Sequence, residues 1–198
     1  ALWLWGRIYQ PREDEGTARR VARNSFAPMM LQLFNKGVDT VFAAFMARFL
    51  GAETLGQYAF AVTVIWAFII ITNFGLGTLL TRDVARDPGV TNRLFNATLL
   101  LRIALFAIAF PILLVALILW SAYDSATLEP VTLWTIILLA IGLVPSNLAD
   151  AVTAVFRAYE KFEVPALIAT IATFIKVIIG AGVLLAGMGI IGLAATSL

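Results

Sequence analysis

Cysteine and histidine are both absent from the 198 residues. Without cysteine there are no disulfides, thiolate metal sites or sulfur nucleophiles, and no redox compartment can be inferred. Without histidine the chain lacks the commonest general base and the commonest transition-metal ligand. Charge is also scarce: 13% of residues are Asp, Glu, Lys or Arg, about half the usual share of a soluble domain. The net charge of +2, with no basic-aromatic module, argues against a nucleic-acid partner. Most enzyme classes are weakened before any motif is considered.

Apolar sequence fills the space. Hydrophobic residues make up 61% of the chain, and the mean hydropathy is +0.93. They gather into runs of roughly 20 residues or more, the length at which a helix crosses a hydrocarbon core about 30 Å thick. Most runs are apolar all round, whereas the helices of a water-soluble core keep a polar face. The expected fold is therefore an all-α polytopic membrane protein with five transmembrane helices and the start of a sixth.

The spans are expected at about Phe26–Phe49, Tyr58–Leu80, Leu94–Trp120, Val131–Phe156 and Pro165–Leu185, with a sixth starting near Ile190. Gly51, Gly56, Pro88-Gly89, Pro130, Pro165 and Gly187-Met188-Gly189 supply turn chemistry between them. Residues 1–15 are too short and too charged to cross, and suit an interfacial Trp-bearing anchor or a tail. The chain opens on Ala1 and stops at Leu198 inside an apolar stretch, so both ends are expected to be cut. The expected domains are a cytoplasmic segment 1–21 and a transmembrane lobe 22–198.

Lys and Arg set the orientation. Arg7, Arg12, Arg19, Arg20, Arg23, Arg82, Arg86, Arg93, Arg157 and Lys161 fall on one side, against Arg48 alone on the other. The positive-inside rule then places the leading segment in the cytoplasm and the 120–130 loop outside.

Polar residues at bilayer depth carry the functional information, because a Lys or Asp at a helix centre costs roughly 2.5–3.5 kcal/mol. Gln32, Asn35, Lys36 and Asp39 recur at offsets that form one helical stripe, which must face protein or a water-filled cavity. Two readings stand for Lys36 and Asp39: a structural ion pair, or contact with a substrate or ion. Lys176 lies near the centre of span five, and Asp150 in span four is an alternative structural partner for it. Arg102 sits in the cytoplasmic third of span three, where snorkelling to the interface is the simpler account. Pro111 and Pro145 are read as packing kinks. Lys36, Arg102 and Lys176 against Asp39 and Asp150 suit an anionic substrate better than a small hydrophobic cation.

Three segments carry a family resemblance. Ala47-Arg48-Phe49-Leu50-Gly51-Ala52-Glu53 with Gly56-Gln57-Tyr58-Ala59-Phe60, then Asn73-Phe74-Gly75-Leu76-Gly77 leading into Thr81-Arg82-Asp83-Val84-Ala85-Arg86, and Phe156-Arg157-Ala158-Tyr159-Glu160-Lys161-Phe162 resemble successive junctions of Wzx-type polysaccharide flippases. These belong to the multidrug/oligosaccharidyl-lipid/polysaccharide (MOP) exporter superfamily. The resemblance covers about Ala22 to the end. It implies a MATE-like fold of two six-helix lobes around a cleft, of which this chain is most of the first. It also implies a multi-pass protein of a prokaryotic plasma membrane, its N-terminus cytoplasmic, exporting a polyprenyl-pyrophosphate-linked oligosaccharide. The partners implied are that lipid-linked oligosaccharide, membrane lipid and the missing C-terminal lobe. No cofactor is expected beyond a coupling proton or sodium ion. On this analogy the substrate-path candidates are Lys36, Arg48, Arg102 and Lys176, with Asp39 in ion coupling or orientation and Gln32, Asn35 and Asp150 beside them. Arg82 and Arg86 match the pattern but are expected to fix topology. The alternatives are a drug or cation antiporter of the same superfamily, a peptidoglycan-precursor flippase, and a membrane scaffold. A glycan polymerase or ligase is disfavoured, since the outer loops are short and hold no paired carboxylates for acid–base work.

Overall fold

A computed structural model describes residues 17–123 and 129–196; the expectation for residues 1–15 and part of that for the 120–130 loop lie outside these. Among the described residues the chain forms six α-helices and one 3₁₀ turn: α1 (Thr17–Asn73), α2 (Leu76–Arg86), the 3₁₀ turn (Pro88–Val90), α3 (Thr91–Tyr123), α4 (Pro130–Ala158), α5 (Glu163–Leu185) and α6 (Gly189–Ala195). Strands are absent from these residues, as the unbroken apolar runs require.

The apolar stretch Pro28–Arg86 has 59 residues, about 88 Å of helix and far more than one crossing needs. Gly51 divides it. Its φ of 73° and ψ of 170° lie in a region that is essentially glycine's own, so the first arm (to residue 50) and the second arm (from residue 52) are separate crossings. With Pro88–Ala122, Pro130–Ala158 and Glu163–Leu185, five crossings result, and α6 begins the expected sixth.

Side-chain contacts fix the directions. Contacts between the first arm of α1 and α5 advance together, from Asn35–Thr170 to Asp39–Lys176 and on to Phe42 against Gly180, so these helices run parallel. The second arm of α1 meets α3 in opposite order, Phe60 on Trp120 and Phe68 on Phe106, and so runs antiparallel to it. The loops 87–90 and 159–162 therefore share one end, and the junctions at 51 and 186–188 share the other. First and fifth crossings are parallel only if an odd number of crossings separates them, which agrees with the three counted here.

The second crossing departs from the expected Tyr58–Leu80. The helix stops at Asn73, turns through Phe74 (φ 37°) and Gly75 (φ 72°), and restarts as α2. The apolar run conceals this break because Phe74 is itself apolar and 80% exposed. α3 stays helical through Pro111, and α4 through Pro145.

Three apolar clusters hold the bundle. Ala61, Ile65 and Phe68 of α1 meet Ala109, Leu113 and Leu117 of α3 and Ile136, Ala140 and Leu143 of α4 at its middle. Leu80 and Val84 of α2 pack on Ala151, Ala154 and Val155 of α4, where the two alanines let the helices approach closely. Phe42, Leu184 and Leu193 join α1, α5 and α6. Outward-facing positions are apolar too: Trp66, Ile70, Ile112 and Ile178 are largely exposed, the surface a bilayer would cover.

Candidate functional site

Two polar centres lie within the crossings. The first is the α1–α5 seam. The Asn35 side-chain amide donates to Thr170 Oγ1 at 3.1 Å, and the Thr170 hydroxyl donates to the Ala166 carbonyl at 2.9 Å. Asn35 Oδ1 is buried without a partner. Four residues further along, Lys176 Nζ donates to Asp39 Oδ1 at 2.7 Å, with both side chains partly exposed. Lys36 and Gln32 continue the stripe on its open side. Among the described residues neither side chain has a hydrogen-bond or ion-pair partner.

The second centre surrounds Arg102, whose residue is 1% exposed. One Nη donates to Asn73 Oδ1 at 2.8 Å and the other to the Asn147 carbonyl, while Nε is buried without a partner. One guanidinium thus ties the end of α1 to α3 and α4, next to the break at 74–75. Gly77 lies alongside it, where an added Cβ would sit in ordinary contact at 3.4 Å from Arg102 Nη2. Beside it opens a cavity of about 670 Å³ lined by Thr78, Thr81, Arg82, Arg102, Asp150 and Arg157, among others. Thr81 anchors its wall, with its hydroxyl 3.0 Å from the Ala154 carbonyl. Arg82 is held sideways by Asp83 at 2.9 Å. Three guanidiniums against Asp150 and the Asp83 that holds Arg82, with hydroxyls between, favour an anion with a polar body.

The structure joins Asn35, Asp39 and Lys176 in one centre and Arg102 and Asp150 in the other, while Arg48 stands exposed at the far end of the first arm. The pairing differs from the sequence expectation in three respects. Asp39 pairs with Lys176 rather than Lys36, because the parallel packing of α5 brings that ammonium to it. Lys176 therefore does not pair with Asp150, which lies in the other centre. Arg102 does not snorkel; buried acceptors on two neighbouring helices hold it inside. Sequence reasoning missed Thr170 and the structural role of Asn73 and Asn147, and it gave Arg82 only a topological role. The signal available was that Asn73 and Asn147 are polar in otherwise apolar runs.

Among the described residues no cluster of three acidic side chains suits a metal ion. A family model described as polysaccharide biosynthesis protein matches residues 21–198. Neither the curated proteins nor the solved structures gave a match.

Proposed function

The chain belongs to the polysaccharide biosynthesis protein family, which covers Wzx-type flippases, and from that premise we propose that it is the first lobe of a transporter flipping a polyprenyl-pyrophosphate-linked oligosaccharide outward. A second lobe completes a cleft that opens alternately to each side of the membrane. The N-terminus lies in the cytoplasm of a prokaryotic cell, following the basic loops.

One observation carries this reading: Lys36 is exposed at bilayer depth with its nearest carboxylate, Asp39, already held by Lys176. A bare ammonium there is stable only against water or an anion, and a lipid-linked glycan brings its own phosphates. The cavity beside Arg102 adds cationic surface towards the cytoplasmic end through Arg82 and Arg157. Asp39 sits where a coupling proton or sodium ion would be felt by Lys176. A drug or cation antiporter fits less well, since the one carboxylate in the first crossing already has a cationic partner.

Depletion of the full-length protein in its host tests the proposal. Lipid-linked oligosaccharide should build up on the cytoplasmic leaflet, and wild-type protein should clear it, whereas Lys36→Ala at normal expression should not. Unchanged lipid-linked glycans together with new sensitivity to cationic drugs would select the antiporter.

A further inference from the structure

The first arm of α1 has opposite characters on the two sides of its seam with α5. At about 100° per residue, Gln32, Asn35, Lys36 and Asp39 take one side, and Phe34, Val38, Val41 and Phe45 take the other. On the apolar side lies a groove of about 580 Å³ whose lining includes Phe34, Gly37, Val41, Phe45, Val177 and Ala181, and every lining residue is apolar. Val41 is 71% exposed, so the groove opens sideways into the space a bilayer would fill. Aromatic rings wall it: Phe34 meets Phe174 at 5.9 Å between ring centroids, and Phe45 meets Phe49 at 4.4 Å. Gly37 leaves a notch between the rings, with nothing within 4 Å of the position its Cβ would take.

Depth and charge identify the occupant. From Phe34 to Phe45 the groove extends about 16 Å along the helix axis, roughly half the hydrocarbon thickness. Arg48 follows Phe45 by three residues on the same stripe. It is exposed, and among the described residues it has no acceptor. It lies just before the Gly51 junction, at the end opposite the loops 87–90 and 159–162. An anionic head at Arg48 would place a hydrocarbon tail in the groove, pointing to mid-membrane. Tilted rings with a gap between them suit a stiff chain carrying a methyl branch on each repeat unit better than a straight acyl chain.

We propose that the α1–α5 groove, with Arg48 at its mouth, binds a polyprenyl phosphate through its isoprenoid tail in the leaflet on the 51 and 186–188 side. The proposal rests on the flippase reading for its ligand and goes beyond it by assigning a tail site and a leaflet. On the orientation above that leaflet is the outer one, so the groove receives the lipid after it has crossed.

The test is a binding measurement on the full-length protein in nanodiscs of zwitterionic lipid, with a long-chain polyprenyl monophosphate as probe. A photoreactive maleimide on Val41→Cys, in protein with any cysteine outside residues 1–198 replaced, should capture the probe saturably. Gly37→Leu, which fills the notch while favouring the helix, should weaken capture about tenfold or more, and Ala181→Leu should do the same from the other wall. Arg48→Ala should weaken capture of the phosphate but not of the uncharged polyprenol. Equal capture in monodisperse Gly37→Leu and Ala181→Leu proteins would overturn the proposal, as would equal competition by an anionic phospholipid. Binding is read here without transport, whereas the depletion experiment reads transport without the groove, so either idea can fail alone.

Discussion

Arg102 shows how much one side chain can hold. Its guanidinium satisfies an amide oxygen on α1 and a backbone carbonyl on α4 from a position on α3. Arg102→Ala would remove the tie between three helices and leave the Asn73 amide oxygen without its guanidinium, and it should destabilise the detergent-solubilised protein by about 1–3 kcal/mol in thermal unfolding. Arg102→Lys should recover less than half of that, because a single ammonium cannot span two acceptors in the guanidinium's fork geometry. The Asp39–Lys176 pair behaves differently, being partly exposed. Asp39→Asn and Lys176→Met should each lower folded yield more than the double substitution, since each alone strands a charge. A double variant worse than either single would mean that the two groups act separately. The stripe on α1 was legible in the sequence because helical periodicity is local. The partner of Asp39 was not, because it lies 137 residues away, with Lys36 equally plausible as the partner of Asp39 and Asp150 as the partner of Lys176 on spacing alone.

At the scale of helices, two glycines set the geometry. Gly51→Ala forces a Cβ into a backbone conformation costing about 1–3 kcal/mol, and should lower thermal stability by that amount. Gly180 lets Phe42 lie against α5: an added Cβ would stand 2.7 Å from Phe42 Cζ. Gly180→Ala should therefore cost about 1–3 kcal/mol as overpacking, and Phe42→Leu in the same chain should relieve most of it. Unrelieved loss would show that the clash falls on backbone instead. The crossings themselves were legible, because runs of apolar residues longer than 20 have few alternatives in water or lipid. The break at 74–75 was not, because Asn73 is a single polar residue in the run and Phe74 and the apolar residues beyond it continue its length. Its trace was the Gly75-Leu76-Gly77 sequence, which by itself marks flexibility and not a reversal of φ.

For the whole molecule, the alternation of basic and non-basic loops makes the orientation testable on a chain that has no cysteine of its own. Single cysteines at Glu53 and Met188 should react with an impermeant maleimide in intact cells, and cysteines at Arg86 and Lys161 only after permeabilisation. The reverse pattern would invert the topology and move the tail groove to the inner leaflet. Parallel packing of the first and fifth crossings also has a consequence in time. At roughly 5–20 residues per second, on the order of ten seconds of synthesis separate the appearance of Asp39 from that of Lys176. Through that interval the first crossing meets the insertion machinery with its carboxylate waiting for a cation not yet made. Lys36, one turn away on the same helix, is then the counter-charge at hand. On nascent chains stalled before residue 163, Lys36→Ala should slow membrane integration more than it does on finished chains. The residue left bare in the mature bundle would thus serve first as a placeholder during its birth, released for other work when α5 arrives.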